Sequence, residues 1–255
     1  MTNKAFDDLP RITEEGAQEM GLTVLLKGIS KQGKSFTAVN FPKPMLYVHA
    51  DPNTRVASVA RANGADIDLL PVDDYSTYDD IVIPAAKARE IAARTIVIDD
   101  ASSLAKKLVD KIQGTKSRPS RDDYSAILRK HWENTTDITN TAKPLGDHPG
   151  YNIVFTARLK GKADDEGVLE KYECCVWGQF KDHIESFFNY ILLCESGTAN
   201  KIVDNKSRLA RQFKIYSVPP NRYHTCSGGE LPPEIVVPDG GNAFEILNQY
   251  WKVKE

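Results

Sequence analysis

Gly28-Ile29-Ser30-Lys31-Gln32-Gly33-Lys34-Ser35 fits the pattern G-x-x-x-x-G-K-[S/T]. Residues of these types at this spacing suit one task, the holding of a row of phosphates. Gly28 and Gly33 allow backbone angles and a close approach that a Cβ would forbid. The backbone N–H groups from Ile29 to Phe36 can wrap the anion, and the start of a helix adds a partial positive charge. Lys34 would reach the β- and γ-phosphates, and the Ser35 hydroxyl would sit on Mg²⁺. The expected ligands are therefore ATP and Mg²⁺.

A second set of chemically capable residues is Asp99-Asp100, which closes the β-branched run Thr95-Ile96-Val97-Ile98. A phosphate loop needs an acid at the end of a nearby buried strand, to hold Mg²⁺ directly or through water. Asp99 is the first acid after the run and takes that role. Asp100 would align the attacking water or act as general base.

These residues need a scaffold, and the chain reads as one. The apolar run Leu22 to Leu26 is a strand, and Phe36 to Val39 begins a helix after the loop. Met45 to Ala50, Ile67 to Val72 and Asn152 to Thr156 read as further strands. Helical spacing covers Thr54 to Asn63 (with Gly64 as its cap), Tyr78 to Ala93, Leu104 to Ile112 and Tyr124 to Thr141. This alternation predicts an α/β fold with a mostly parallel sheet and helices on both faces. Val168 to Val176, Tyr190 to Cys194 and Gln212 to Val218 read as later strands that extend it in antiparallel fashion. A polar arm over residues 1–20 and a single domain over 21–255 are expected.

With 255 residues, 41% hydrophobic and 27% charged, the chain can bury one substantial core. It has no apolar run of membrane-spanning length and no apolar stretch resembling a secretory leader near its start, so a cytoplasmic protein is expected. The four cysteines, Cys174, Cys175, Cys194 and Cys226, lack C-x-x-C spacing and read as reduced thiols. A net charge of −2 gives no general attraction for nucleic acid, so any such binding must come from local patches.

The two nucleotide motifs and the stretch from Ile67 to Asp99 resemble the RecA-like ATPase core. The compact length and the tail from Tyr190 to Trp251 are similar to the phage RecA-like single-strand annealing proteins. The resemblance implies ATP binding, single-stranded DNA as partner, strand annealing or exchange, assembly into a ring or filament, and possible contact with a single-strand-binding protein. It places DNA contacts in segments after the fourth and fifth strands. Here these are Lys116, Arg118 and Arg121 in the first, and Arg158, Lys160 and Lys162 in the second. Basic segments suit a phosphate backbone. Thr156 and Arg158 would sense the γ-phosphate at the end of the fifth strand. Asn221-Arg222-Tyr223 is similar to a segment that carries basic residues into a neighbour's ATP site, which makes Arg222 a trans-acting arginine finger. The chain departs from the family after the third strand, where a catalytic Glu is expected and Val72 to Asp79 has none. Asp74 or Asp79 would have to substitute. Two other readings stay open: an ATP-gated assembly clamp or helicase-loader-like protein with little turnover, and a small-molecule P-loop kinase.

Overall fold

A computed structural model describes residues 20–51, 66–203, 206–222, 224–238 and 240–251. The polar arm up to residue 19, the helix expected over 54–63 and Tyr223 lie outside them. The described residues form a nine-stranded sheet in the order β3-β2-β4-β5-β1-β7-β8-β9, with β6 on an extension of β5. Its strands are β1 (Thr23–Gly28), β2 (Met45–His49), β3 (Ile67–Pro71), β4 (Thr95–Asp99), β5 (Asn152–Ala163), β6 (Leu169–Cys174), β7 (Tyr190–Val203), β8 (Lys206–Tyr216) and β9 (Glu234–Val237). The strands from β3 through β7 in that order run parallel, and β8 and β9 run antiparallel at one side.

The alternation of side chains along each strand divides the core in two. Leu25, Ile96, Ile98, Ile153 and Phe155 point to one face. There they meet Leu104 and Leu108 of α3 (Ala101–Gln113) and Ile127 and Ile138 of α4 (Arg121–Asn140). Val24, Leu26, Tyr47, Val97 and Val154 point to the other. They meet Ala38 of α1 (Lys34–Ala38) and Ala243 and Leu247 of α5 (Ala243–Trp251). Parallel strands covered on both sides read as unbroken apolar runs, which is how β1 and β4 look in the sequence. All four cysteines carry free thiols, and no helix among the described residues is long and apolar enough to cross a membrane.

Several elements differ from the expectation. The helix read over Tyr78 to Ala93 is a π-turn over Thr77–Val82 followed by α2 (Ile83–Lys87). Pro84 has no N–H to donate, so the turn before it widens. Arg89 takes φ 61 just beyond, which ends helical winding. β5 runs seven residues past Thr156, because Leu159 to Ala163 pair with β6. β7 runs past Cys194 to Val203 as one half of a long ribbon with β8. β9 and α5 carry no counterpart in the sequence reading.

One buried group ties stability to pH. His131 of α4 is 6% exposed, stacks on Phe180 at 5.1 Å, and its Nε2 finds no hydrogen-bond partner among the described residues. Burial pulls its pKa down to about 4. The unfolded chain, with an ordinary histidine, takes up a proton that the folded chain refuses. Stability conferred by the neutral ring is therefore present above pH ~6.5 and lost as pH falls toward 4, at most about 3 kcal/mol. Urea unfolding midpoints of the parent and of His131→Phe, measured between pH 7 and 4, should diverge in slope with the variant flatter. Parallel curves would show that His131 does not carry the effect.

Candidate nucleotide site

The phosphate loop leaves the carboxyl end of β1 in the middle of the sheet and enters α1. Its turn is built by Lys31 at φ 68 and Gly33 at φ 88. A Cβ at Gly28 would stand 2.5 Å from the Cys194 carbonyl oxygen of β7. At Gly33 it would stand 2.3 Å from the Phe213 ring of β8. Both glycines are therefore required by close packing, and Gly33 also by its left-handed backbone. Phe213 stacks on Phe36 at 4.7 Å and covers the start of α1. Gln32 accepts a hydrogen bond from the Ser196 amide of β7, which ties the loop to the neighbouring strand. Ile29 and Ser30 are exposed at its tip.

The Lys34 Nζ donates to the carbonyl oxygens of Gly28 and Ile29, both at 2.9 Å, so the ammonium is held in the mouth of the loop. Burial lowers its pKa below the ordinary lysine value, and the nearby Cys194, Asp99 and Asp100 oppose that shift. The Ser35 hydroxyl donates to Asp99 Oδ2 at 3.0 Å across 64 residues of sequence. Asp99 is 3% exposed and also accepts from the hydroxyls of Tyr47, at 2.5 Å, and Thr156. A carboxylate and a hydroxyl side by side at the carboxyl end of a parallel sheet form the oxygen donor set that Mg²⁺ prefers, with the remaining positions left to phosphate and water. The loop and this pair thus fit a nucleotide phosphate with its cation. Lys34, Ser35 and Asp99 are the residues that would hold them.

The comparisons agree with the geometry. Residues 20–224 match a family model described as AAA domain. The chain belongs to that family of P-loop ATPases. No curated protein matches it. The match covers the loop, the Asp99 strand and the segment through β8, so the P-loop NTPase fold and nucleotide binding stand as properties of the chain.

Within this P-loop domain Asp100, next to Asp99, has partners of its own. It caps α3, with Oδ1 accepting from the Ser103 amide at 2.5 Å, and its Oδ2 lies 2.9 Å from Arg158 Nε. Burial raises its pKa, while the Ser103 amide and the Arg158 charge hold it down. Arg158 also donates to Ser103 Oγ at 2.9 Å. Asp100 thus holds Arg158, whose guanidinium lies within electrostatic reach of Lys34.

The two proposed stand-ins for the missing Glu are engaged away from the loop. Asp74 is exposed and accepts from the Ser76 amide in a local turn. Asp79 binds Lys130 at 2.7 Å and Asn134 at 3.0 Å, fastening the π-turn to α4. The acid the sequence reading passed over is Asp51. It follows β2 two residues past His49, which pairs with Asp99, so it sits at the same carboxyl end. The signal was available, since Asp51 is the first acid after the apolar run Met45 to Ala50, as Asp99 is after its own.

The basic segments also differ from free loops. Residues 114–120 form the connection between α3 and α4, and Arg121 is the first residue of α4. Gly114 at φ 58 turns the chain, and Ser120 and Asp123 form a capping box on α4. Lys116 is paired with Asp123 at 2.7 Å. Arg158, Lys160 and Lys162 lie within β5, and Lys162 pairs with Glu170 of β6 at 2.7 Å. Arg118, Arg121 and Lys160 are exposed, and their side chains make no ion pair among the described residues. Arg222 is exposed on the segment after β8. Two residues on, His224 stacks on Tyr172 of β6 at 4.5 Å and 2°, which anchors that segment to the β5–β6 hairpin.

Proposed function

We propose that this P-loop ATPase binds single-stranded DNA under the control of ATP and Mg²⁺ and anneals or exchanges strands in DNA recombination of the phage type. Its working form is a ring or filament in which Arg222 serves a neighbour's nucleotide, with a single-strand-binding protein as a possible further partner. The reading is carried by Arg158. This residue begins the basic stretch of β5, and its guanidinium holds Asp100 at the nucleotide site at 2.9 Å. A charge change at the γ-phosphate therefore has a short mechanical route, through Arg158, to the hairpin that bears Lys160. Lys34, Ser35 and Asp99 bind the phosphates and the cation. Thr156, hydrogen-bonded to Asp99, sits on the same strand as Arg158 and couples the two.

ATP hydrolysis assayed with and without single-stranded DNA tests this function, and stimulation by DNA is the expected result. A gel-shift series against salt tests the DNA surface. Neutralising Lys116, Arg118 and Arg121 together should flatten the slope of log affinity against log salt by about 1.4. That is roughly 0.7 for each of the two arginines, which make no ion pair among the described residues. Lys116 adds little because Asp123 already neutralises it. An unchanged slope would move the DNA path to Arg158, Lys160 and Lys162. No binding at low salt, with or without nucleotide, would overturn the annealing function.

A second reading is favoured by the commitment of Asp100, Asp74 and Asp79 to other partners. Unless Asp51 activates water, the chain would hold ATP as an assembly clamp and turn it over slowly. Tight nucleotide binding with DNA-insensitive, near-zero hydrolysis would select it.

A further inference from the structure

Between the two basic segments lies an aromatic pair that no nucleotide chemistry uses. Tyr124, one turn into α4, is 37% exposed and meets Trp177 with ring centroids 6.0 Å apart and planes at 52°. Trp177 stands just past β6, and Cys175 bonds back to the Arg158 carbonyl at 2.7 Å. The indole Nε1 has no hydrogen-bond partner among the described residues, so ring contact rather than a polar anchor places it. The following residue makes the contact possible. A Cβ at Gly178, which has φ +54, would fall 2.4 Å from the Tyr124 hydroxyl.

The flanks of the pair are cationic. Arg118 and Arg121 precede Tyr124 on one side, and Lys160 stands on β5 opposite Glu173 on the other. Two acids share that helix turn: Asp123 is taken up by Lys116 and the Ser120 amide, and Asp122 is exposed. Single-stranded nucleic acid is held by this combination of a basic track for the phosphates and aromatic faces for the bases. A duplex, with its bases already stacked, gains nothing from such faces. The pair also lies close to the nucleotide site, since Cys175, two residues before Trp177, feels the charges of Arg158, Asp100 and Lys34.

We propose that Tyr124 and Trp177 form a base-stacking step that holds unpaired nucleobases of single-stranded DNA between the two basic segments. This rests on the DNA-binding function proposed above. The test compares the full chain on an oligo(dT) strand and on an abasic phosphodiester strand of the same length, in the presence of an ATP analogue. The parent should prefer oligo(dT) by roughly tenfold, the scale of one or two stacked bases. Tyr124→Leu and Trp177→Leu should each bring that ratio toward one while leaving the salt slope unchanged, and Trp177→Phe should retain most of the preference. Tyr124 is exposed, so Tyr124→Leu tests the idea even if the Trp177 variant folds poorly. A preference that survives in both variants, or a salt slope that falls with the ratio intact, overturns the stacking step and leaves DNA binding standing. Failure of the parent to bind either strand at low salt overturns both.

Discussion

Lys34→Ala should lower affinity for ATP by about a hundredfold and leave the thermal midpoint within a few degrees of the parent. The side chain is buried but belongs to neither apolar core cluster. Its Nζ meets two carbonyl oxygens of its own loop at 2.9 Å, one buried and one part-buried at the mouth of the loop. What is lost is a point charge directed at phosphate. Two charge-assisted hydrogen bonds are together worth about 3 kcal/mol, and each 1.4 kcal/mol is tenfold. Asp99→Asn completes the experiment at the cation. It keeps one acceptor oxygen, turns the other into an amide donor facing either Thr156 or the Tyr47 and Ser35 hydroxyls, and removes the charge, so binding and any residual hydrolysis should become insensitive to Mg²⁺. Asp99→Ala would have the same effect on Mg²⁺ and a larger one on stability, because buried hydroxyls would lose their acceptor. Titration of a fluorescent ATP analogue with and without Mg²⁺ reads both changes. Unaltered affinity and unaltered Mg²⁺ response in these variants would overturn the phosphate-loop assignment.

The parts of the site legible in the sequence are those whose chemistry is local. The loop is spelled out by its glycines, and Asp99 by being the first acid after a buried strand. The parts that were not legible depend on packing between distant segments. Phe213 touches Gly33 and Phe36, yet lies on a strand nearly 180 residues later. Tyr47 reaches Asp99 across 52 residues, and nothing in an apolar strand marks one tyrosine as a ligand-orienting group. The outer half of β7 begins Glu195-Ser196-Gly197-Thr198, which looks like a loop because a two-stranded ribbon beyond the core needs no apolar alternation to declare it. Arg158 to Lys162 did carry a signal. The basic residues 158, 160 and 162 share one face, while Leu159 turns inward and is 6% exposed. That is the period of a strand, and the density of charge concealed it. The π-turn at 77–82 shows the reverse case, where helical periodicity was sound and Pro84 changed the winding.

Arg222→Ala should cut DNA-stimulated hydrolysis by on the order of a thousandfold while ATP binding survives. One arginine already stands beside the phosphate loop. Arg158 is held by Asp100 and Ser103, and if it serves as the internal cation, a second guanidinium must come from elsewhere for the developing charge to be met on two sides. Arg222 follows the exposed Val218-Pro219-Pro220-Asn221 segment, and the stack of His224 on Tyr172 fixes that segment to the β5–β6 hairpin. Two prolines stiffen the approach and lower the entropy lost when the arginine docks. In a ring or filament the finger would then enter the neighbour's site. Because the phosphate loop and the finger would belong to different subunits, Lys34→Ala and Arg222→Ala proteins should complement each other. A mixed interface can join an intact loop from one to an intact Arg222 from the other, and hydrolysis should recover in the mixture above either variant alone. Sedimentation with ATP and single-stranded DNA must show that both variants still assemble. A chain that stays monomeric under those conditions, or assembled variants that fail to rescue each other, would overturn the trans role of Arg222 and return the search for a charge-stabilising group to the subunit's own Arg158.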